Sequence, residues 1–168
     1  MNSIISTNII RFLILVFVQI LILNHINFLG YVNPYLYILF VILFPIKNSR
    51  TLFIFLGFLI GLTIDLFSDS GGVHAAACVT IAYIRPVVLK FCFGMIYEHQ
   101  AIKFSNVDLG AKTMYIAILT LIHHLILFSL EIFNFSKIIL TLQKTLFSSA
   151  FTILLCVLVS IIFSKNSK

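Results

Sequence analysis

Residues 51–67 read TLFIFLGFLIGLTIDLF, an apolar run whose only ionisable side chain is Asp65. A run of this length and polarity is typical of a transmembrane helix, in which every backbone polar group is paired within the segment. The turn before it contains Lys47 and Arg50, and the turn after it, residues 68–72, reads SDSGG. These residues predict one crossing of a bilayer that ends in a tight turn.

The composition extends this pattern to the whole chain. Hydrophobic residues make up 61% of the 168 residues, charged residues make up only 10%, and the mean hydropathy is +1.17. These values lie outside the range of soluble domains. At roughly 20 residues per crossing, the chain accommodates about six crossings and no separate catalytic domain. We therefore predict an all-α integral membrane protein, a single polytopic domain over residues 1–168 that forms a six-transmembrane-helix bundle.

The apolar segments are separated by short polar or glycine-containing and proline-containing turns. We place them at about residues 9–23, 35–46, 51–67, 73–90, 113–130 and 138–163. The second segment is short for a full span, so we expect it to tilt little, to include preceding residues or to thin the bilayer. The longest connection, residues 91–112, is a candidate contact with cytoplasmic partners.

Basic residues fall in alternate connections, whereas the opposite connections contain Asp69, Glu131 and only Lys137. Because cytoplasmic loops are enriched in Lys and Arg, this pattern predicts a multi-pass inner-membrane protein with both termini in the cytoplasm. The scattered basic residues do not form the patch that nucleic acid requires. The residues predicted on the cytoplasmic side are Arg11, Lys47, Arg50, Lys90, Lys103, Lys112, Lys165 and Lys168.

Gly57, Gly61 and Asp65 share one face of the third segment, since they are spaced four residues apart. Glycines at this spacing permit a neighbouring helix to approach closely. A carboxylate in hydrocarbon should face the bundle interior, water or a partner. An internal hydrogen bond that fixes helix packing is the simpler interpretation of Asp65, and a binding role is the alternative.

The turn at Gly71 and Gly72 makes the fourth segment antiparallel to the third. Asp65 and His74 should therefore lie at a similar depth, where they could pair. Arg85 lies roughly 16 Å further along the fourth helix, near the cytoplasmic side. We expect Arg85 to extend to lipid phosphates together with Lys90, or to contact the long cytoplasmic connection.

Polar residues of several segments could meet towards the outer side of the membrane. Glu131 lies on nearly the same helical face as His124, and Lys144 belongs to a polar stripe on the sixth segment. With Asp65 and His74 they could form one intramembrane polar centre. A metal site or a hydrolase using the paired histidines is an alternative, but no metal-binding or catalytic motif is present. We therefore predict no catalytic residue, metal or cofactor, and favour a polar network that orients helices.

The 6 tyrosines lie mostly near the predicted membrane interfaces. An amphipathic ring is favoured at the level of the lipid headgroups. We interpret these tyrosines as interface anchors.

The run GLTIDLF at residues 61–67, followed by GGVHAA at residues 71–76, resembles the G-L-x-x-D and L-G-x-H-A signature of the MreD family. That family comprises bacterial rod shape-determining membrane proteins, which often have Leu at the position of Gly71. Shorter stretches also resemble one branch of the family: NPYLY at 33–37, RP at 85–86, LIHH at 121–124 and FNF at 133–135. The resemblance covers nearly the whole chain.

The resemblance implies a fold similar to the substrate-binding subunits of energy-coupling-factor vitamin transporters. It also implies a non-enzymatic scaffold of the cell-elongation machinery for peptidoglycan synthesis, which regulates cell shape with the periplasmic partner MreC, the MreB filament, the transglycosylase RodA and its transpeptidase. The alternative is a substrate-binding membrane subunit of a vitamin or small-molecule transporter. The residues that we expect to pack the bundle or to form a partner interface are Gly57, Gly61, Asp65, Gly71, Gly72 and His74.

Overall fold

The computed structural model describes residues 2–28, 30, 32–46, 49–94, 104 and 107–165. Within them the chain is helical, apart from turns and one isolated antiparallel bridge between Phe28 and Val32. Short 3-10 turns cover Leu23–His25, Leu36–Ile38 and Phe135–Lys137. The α-helices are α1 (Asn2–Leu21), α2 (Leu39–Leu43), α3 (Arg50–Ser68), α4 (Val73–Phe93), α5 (Leu109–Ile132) and α6 (Ile138–Lys165).

Among the residues that the structure describes, 5 helices are long and apolar enough to cross a membrane. The helices α1, α3, α4, α5 and α6 contain these candidate spans and match the first, third, fourth, fifth and sixth predicted segments. Large apolar side chains are exposed on their outer faces, such as Phe17 on α1 and Leu146 on α6. Such a surface suits a lipid environment, and the all-helical prediction is confirmed.

The four helices α3 to α6 pack consecutively, with α4 against α3 and α5, and α6 against α5. Side-chain contacts show that α5 and α6 are antiparallel. At the start of α5, Lys112 donates to the carbonyl of Ser160 near the end of α6 (3.3 Å). At the end of α5, Glu131 pairs with Lys144 near the start of α6.

The helices α1 and α3 run in the same direction. Asn24, just beyond α1, donates to the hydroxyl of Ser68 at the end of α3 (3.1 Å). Thirteen residues before Asn24, at the middle of α1, Arg11 donates to the carbonyl of Leu43 at the end of α2 (3.4 Å). The chain between α1 and α3 therefore returns from one end of the bundle to the other.

The second predicted segment makes this return as a short helix in the centre of the bundle. It is helical only over residues 36–43, and Tyr37, Val41 and Ile42 are each 0% exposed. Pro45 favours extended backbone at Phe44 and so ends α2. Irregular backbone at membrane depth is tolerated where protein surrounds it. Thinning of the bilayer is therefore not required, because this segment is enclosed by other helices.

Basic residues gather at one end of the bundle, which we call the basic end. Half of the predicted 91–112 connection, residues 95–103 and 105–106, lies outside the described residues, as do Lys47, Lys103 and Lys168. Asp69 and Glu131 lie at the opposite end. The described members of the basic end are Arg11, Arg50, Lys90, Lys112 and, by its backbone, Lys165.

Candidate functional site

The carboxylate of Asp65 accepts hydrogen bonds at both oxygens. Oδ1 receives the backbone amide of His74 (3.0 Å), the ring Nδ1 of His74 (3.0 Å) and the hydroxyl of Ser70 (2.6 Å). Oδ2 receives the backbone amide of Ala75 (2.8 Å). Since a carboxylate only accepts, Nδ1 is the protonated nitrogen of this imidazole. Asp65 and His74, which the turn geometry predicts at one depth, are therefore in direct contact.

Asp65 serves as the N-cap side chain of α4, although it belongs to α3. Gly72 precedes α4 and has no side chain that could accept from the first amides of the helix. The carboxylate accepts these amides instead, and the positive end of the helix dipole favours its charge. The backbone carbonyl of Asp65 also accepts the amides of Asp69 and Ser70. One residue thus fixes both sides of the turn.

Close packing of α3 on α4 depends on Gly61. A Cβ atom at this position would lie 2.5 Å from Cα of Ala75 and 2.6 Å from the carbonyl oxygen of His74. Both are backbone atoms, so neither can move aside without displacing α4. At Gly57 a Cβ atom would lie 3.3 Å from Cβ of Ala82, which is tight but much less severe. The close approach that the glycine spacing predicts is present, and it is tightest beside the Asp65 cap.

Gly71 and Gly72 shape the turn and do not pack helices together. Their φ angles are +67° and +95°, in the left-handed region that favours glycine. A Cβ atom at either position would meet open space. A leucine at position 71, which the MreD family often has, would be strained in this turn conformation.

A second polar cluster lies between the 3-10 turn Leu36–Ile38, α5 and α6. The hydroxyl of Tyr37 is 3.0 Å from Nε2 of His123. Nδ1 of His124 donates to the carbonyl of Thr120 (2.8 Å), which leaves Nε2 to accept from the hydroxyl of Thr152 (3.2 Å). Both histidines are 0% exposed. They act within the described chain as hydrogen-bonding links between helices.

Tyr35 connects the two clusters. Its ring centroid lies 5.7 Å from that of His74 and 5.2 Å from that of His124. Its backbone amide donates to the hydroxyl of Thr152 (3.0 Å). The structure therefore brings together Asp65, His74 and His124 of the predicted polar centre, with this tyrosine between the two histidines.

Glu131 and Lys144 form a separate ion pair nearer the surface. Their Oε1 and Nζ atoms are 2.8 Å apart, and the two side chains are 43% and 19% exposed. Nζ of Lys144 also lies 5.6 Å from the ring centroid of Phe128, which contacts the ring of His124. The predicted centre thus consists of a buried network and an exposed ion pair.

Arg85 is buried inside the bundle, so the prediction that its side chain extends out of the bundle to lipid phosphates is wrong. Its side chain is 3% exposed, and its Nη2 donates to the carbonyls of Ile42 (3.1 Å) and Phe44. Nε donates to the hydroxyl of Tyr115 (2.7 Å). The physical reason is that α2 ends against α4, and its last carbonyls have no partner within the helix. A guanidinium supplies several donors in a fixed fork and can therefore bind these carbonyls. Lys90, by contrast, is exposed in the last turn of α4.

Sequence reasoning missed the role of the buried tyrosines. Tyr37 and Tyr115 are 0% exposed and hydrogen-bond to His123 and Arg85, so they are not interface anchors. One signal was available: Tyr37 carries the only polar side chain in the run LYILFVILF at residues 36–44. A tyrosine hydroxyl in a buried apolar run usually has a hydrogen-bond partner.

Within the described part of the chain, no group of three or more His, Cys, Asp and Glu side chains is placed to hold a metal ion. Comparison of the sequence and structure with protein-family models, curated proteins and solved structures finds no match.

Proposed function

We propose that this chain is a non-enzymatic membrane scaffold of the bacterial cell-elongation machinery and a member of the MreD family. The support comes from the residues that resemble the family signature, because these residues hold α3 and α4 together. Gly61 permits the close contact, and Asp65 caps α4 beside His74. A bundle with a fixed helix pair presents constant faces to other helices, and close packing is how helices associate in lipid.

The observation that carries the proposal is that protein donors occupy both oxygens of Asp65. A carboxylate that acts as a general acid or base must reach the proton of a substrate. Here its oxygens are used to cap a helix, and its side chain is almost fully buried. The most distinctive charged residue of the membrane segments thus has a structural use that fits a scaffold.

The proposal includes six crossings, with both termini in the cytoplasm. Because α1 and α3 are parallel, the chain between them must reverse, and residues 24–46 provide the second crossing through the interior of the bundle. The basic end then faces the cytoplasm by the positive-inside rule. The faces of α1 and α6 expose many apolar side chains and are candidate surfaces for lipid and for partner helices.

The partners that we propose from the family resemblance are MreC, MreB, RodA and its transpeptidase. Depletion of the protein in its bacterial host should produce rounded cells, and the protein purified from solubilised membranes should retain an MreC-like partner. Normal growth and normal shape after depletion would contradict the proposal. Membrane levels of the protein must be measured in parallel, so that a normal shape can be assigned to cells from which the protein has in fact been removed.

A second candidate function is substrate binding for a vitamin or small-molecule transporter. The observation that favours it is the aromatic and histidine cluster around Tyr35, which lies beneath the exposed pair of Glu131 and Lys144. A binding subunit should show thermal stabilisation by one member of a vitamin panel. Such stabilisation without co-purification of an MreC-like protein would favour the transporter over the scaffold.

A further inference from the structure

A cavity of about 300 Å³ opens at the basic end of the bundle. It lies where the start of α3, the end of α2 and the C-terminal half of α4 meet. Its size is at the lower end of the range for small-molecule sites. The residues that line it are Pro45, Ile46, Arg50, Phe53, Arg85, Pro86 and Leu89.

The buried wall of this cavity carries a positive charge without a carboxylate partner in the described part of the chain. In the described part of the chain, the ion pairs join His74 to Asp65 and Lys144 to Glu131. Both pairs lie towards the opposite end of the bundle from the cavity. Arg85 uses Nε and Nη2 to bind carbonyl and hydroxyl oxygens, while its Nη1 makes no hydrogen bond within the described residues. The guanidinium also lies over the ring of Phe53, with Cζ 4.8 Å from the ring centroid. A buried charge that has only dipoles and a ring face as partners is costly, and an anion would offset that cost.

Arg50 supplies a second guanidinium at the rim of the cavity. Its Nη2 donates to the carbonyl of Tyr83 (3.3 Å), and its Cζ lies 4.8 Å from the centroid of the Tyr83 ring. These contacts hold the long side chain at the cavity while leaving it exposed. Arg50 is also the first residue of α3, and Ser49 before it provides no side-chain cap. The positive end of the α3 dipole is therefore available at the same place.

We propose that this cavity binds the phosphate group of an anionic ligand. Two guanidinium groups and an uncapped helix N-terminus meet there, and the guanidinium fork matches the geometry of phosphate oxygens. The apolar walls at Phe53 and Leu89 leave room for the uncharged part of a phosphate ester. Two sources share this chemistry: the headgroup of an anionic phospholipid, at the level where the membrane surface would lie, and a soluble phosphate.

The test uses the full chain in detergent micelles. Thermal unfolding is measured with added phosphatidylglycerol, with zwitterionic phosphatidylcholine and with inorganic phosphate, each alone. Phosphatidylglycerol should raise the unfolding temperature if the source is lipid, and inorganic phosphate should do so if the source is soluble. Phosphatidylcholine should have little effect in either case.

Arg50→Gln should weaken the apparent affinity of the active probe about tenfold, because it removes one charged partner of the phosphate. Lys90→Gln removes the same charge from the same end of the bundle but outside the cavity, so the affinity should change less than about twofold. Arg50 is preferred to Arg85 for the test because it is exposed, and its loss should leave the fold intact. Failure of both anionic probes to stabilise the wild type, or equal losses in the Arg50 and Lys90 variants, would overturn the proposal.

Discussion

Replacement of Asp65 by asparagine separates the charge and accepting capacity of this side chain from its shape. In the best orientation, the amide oxygen of Asp65→Asn takes the position of Oδ1 and keeps the donors from Ser70 and His74. The amide nitrogen then occupies the position of Oδ2, where it faces the backbone amide of Ala75. Two donors confront each other at that point, and the negative charge at the start of α4 is lost.

The expected loss of stability is about 2 to 4 kcal/mol. Loss of an N-cap acceptor costs about 0.5 to 2 kcal/mol, and a buried donor left without a partner costs about 1 to 3 kcal/mol. The two terms overlap at the amide of Ala75, so they are not fully additive. The lost interaction of the carboxylate with the helix dipole lies within the same range.

Asp69→Asn is the matched control, because it makes the same chemical change four residues away. Asp69 is exposed and has φ of +50°, a conformation that asparagine tolerates. Its expected cost is below about 0.5 kcal/mol. Unfolding can be followed in mixed micelles titrated with dodecyl sulfate by thiol labelling in a Cys92→Ser background, since Cys78 and Cys156 are each 0% exposed. The capping role of Asp65 would be refuted if the two asparagine variants lost similar stability.

Three further sets of substitutions test the packing and charge assignments, all by the same unfolding measurement. Gly61→Ala should cost more than about 2 kcal/mol because its Cβ would meet the backbone of α4, whereas Gly57→Ala should cost less than half as much; the reverse order would contradict the packing. Arg85→Gln should cost about 3 kcal/mol, since it shortens the donor that holds two carbonyls of α2, and a neutral result would refute that role. Glu131→Gln or Lys144→Gln should each cost less than about 1 kcal/mol, because the pair is exposed; a larger loss would show that it belongs to the buried network.

The contact between Asp65 and His74 could be predicted from the sequence because a tight turn fixes the register of the helices on either side of it. Once α3 and α4 are antiparallel, two residues that are equally distant from the turn must lie at one depth. The glycine spacing on α3 adds the face on which the contact occurs. Sequence alone did not show that the carboxylate also caps α4, since that depends on the exact path of the turn.

The partner of Arg85 could not be predicted in the same way. Its depth along α4 follows from the helical rise, but the carbonyls that it binds belong to α2, more than 40 residues earlier in the chain. The burial of the second segment was hidden for a related reason. Lipid and a protein interior both require apolar side chains, so hydropathy does not distinguish a lipid-facing span from a segment enclosed by other helices.

The central claim is that the chain reverses within the bundle between α1 and α3, so that the basic end faces one compartment. Single cysteines at His25 and Ser49, both exposed, can be introduced after the native cysteines are replaced. In intact cells, a membrane-impermeant thiol reagent should label position 25, and it should label position 49 only after the membrane is permeabilised. Labelling of both positions from the same side would show that residues 24–46 do not cross the membrane, and would contradict the claim.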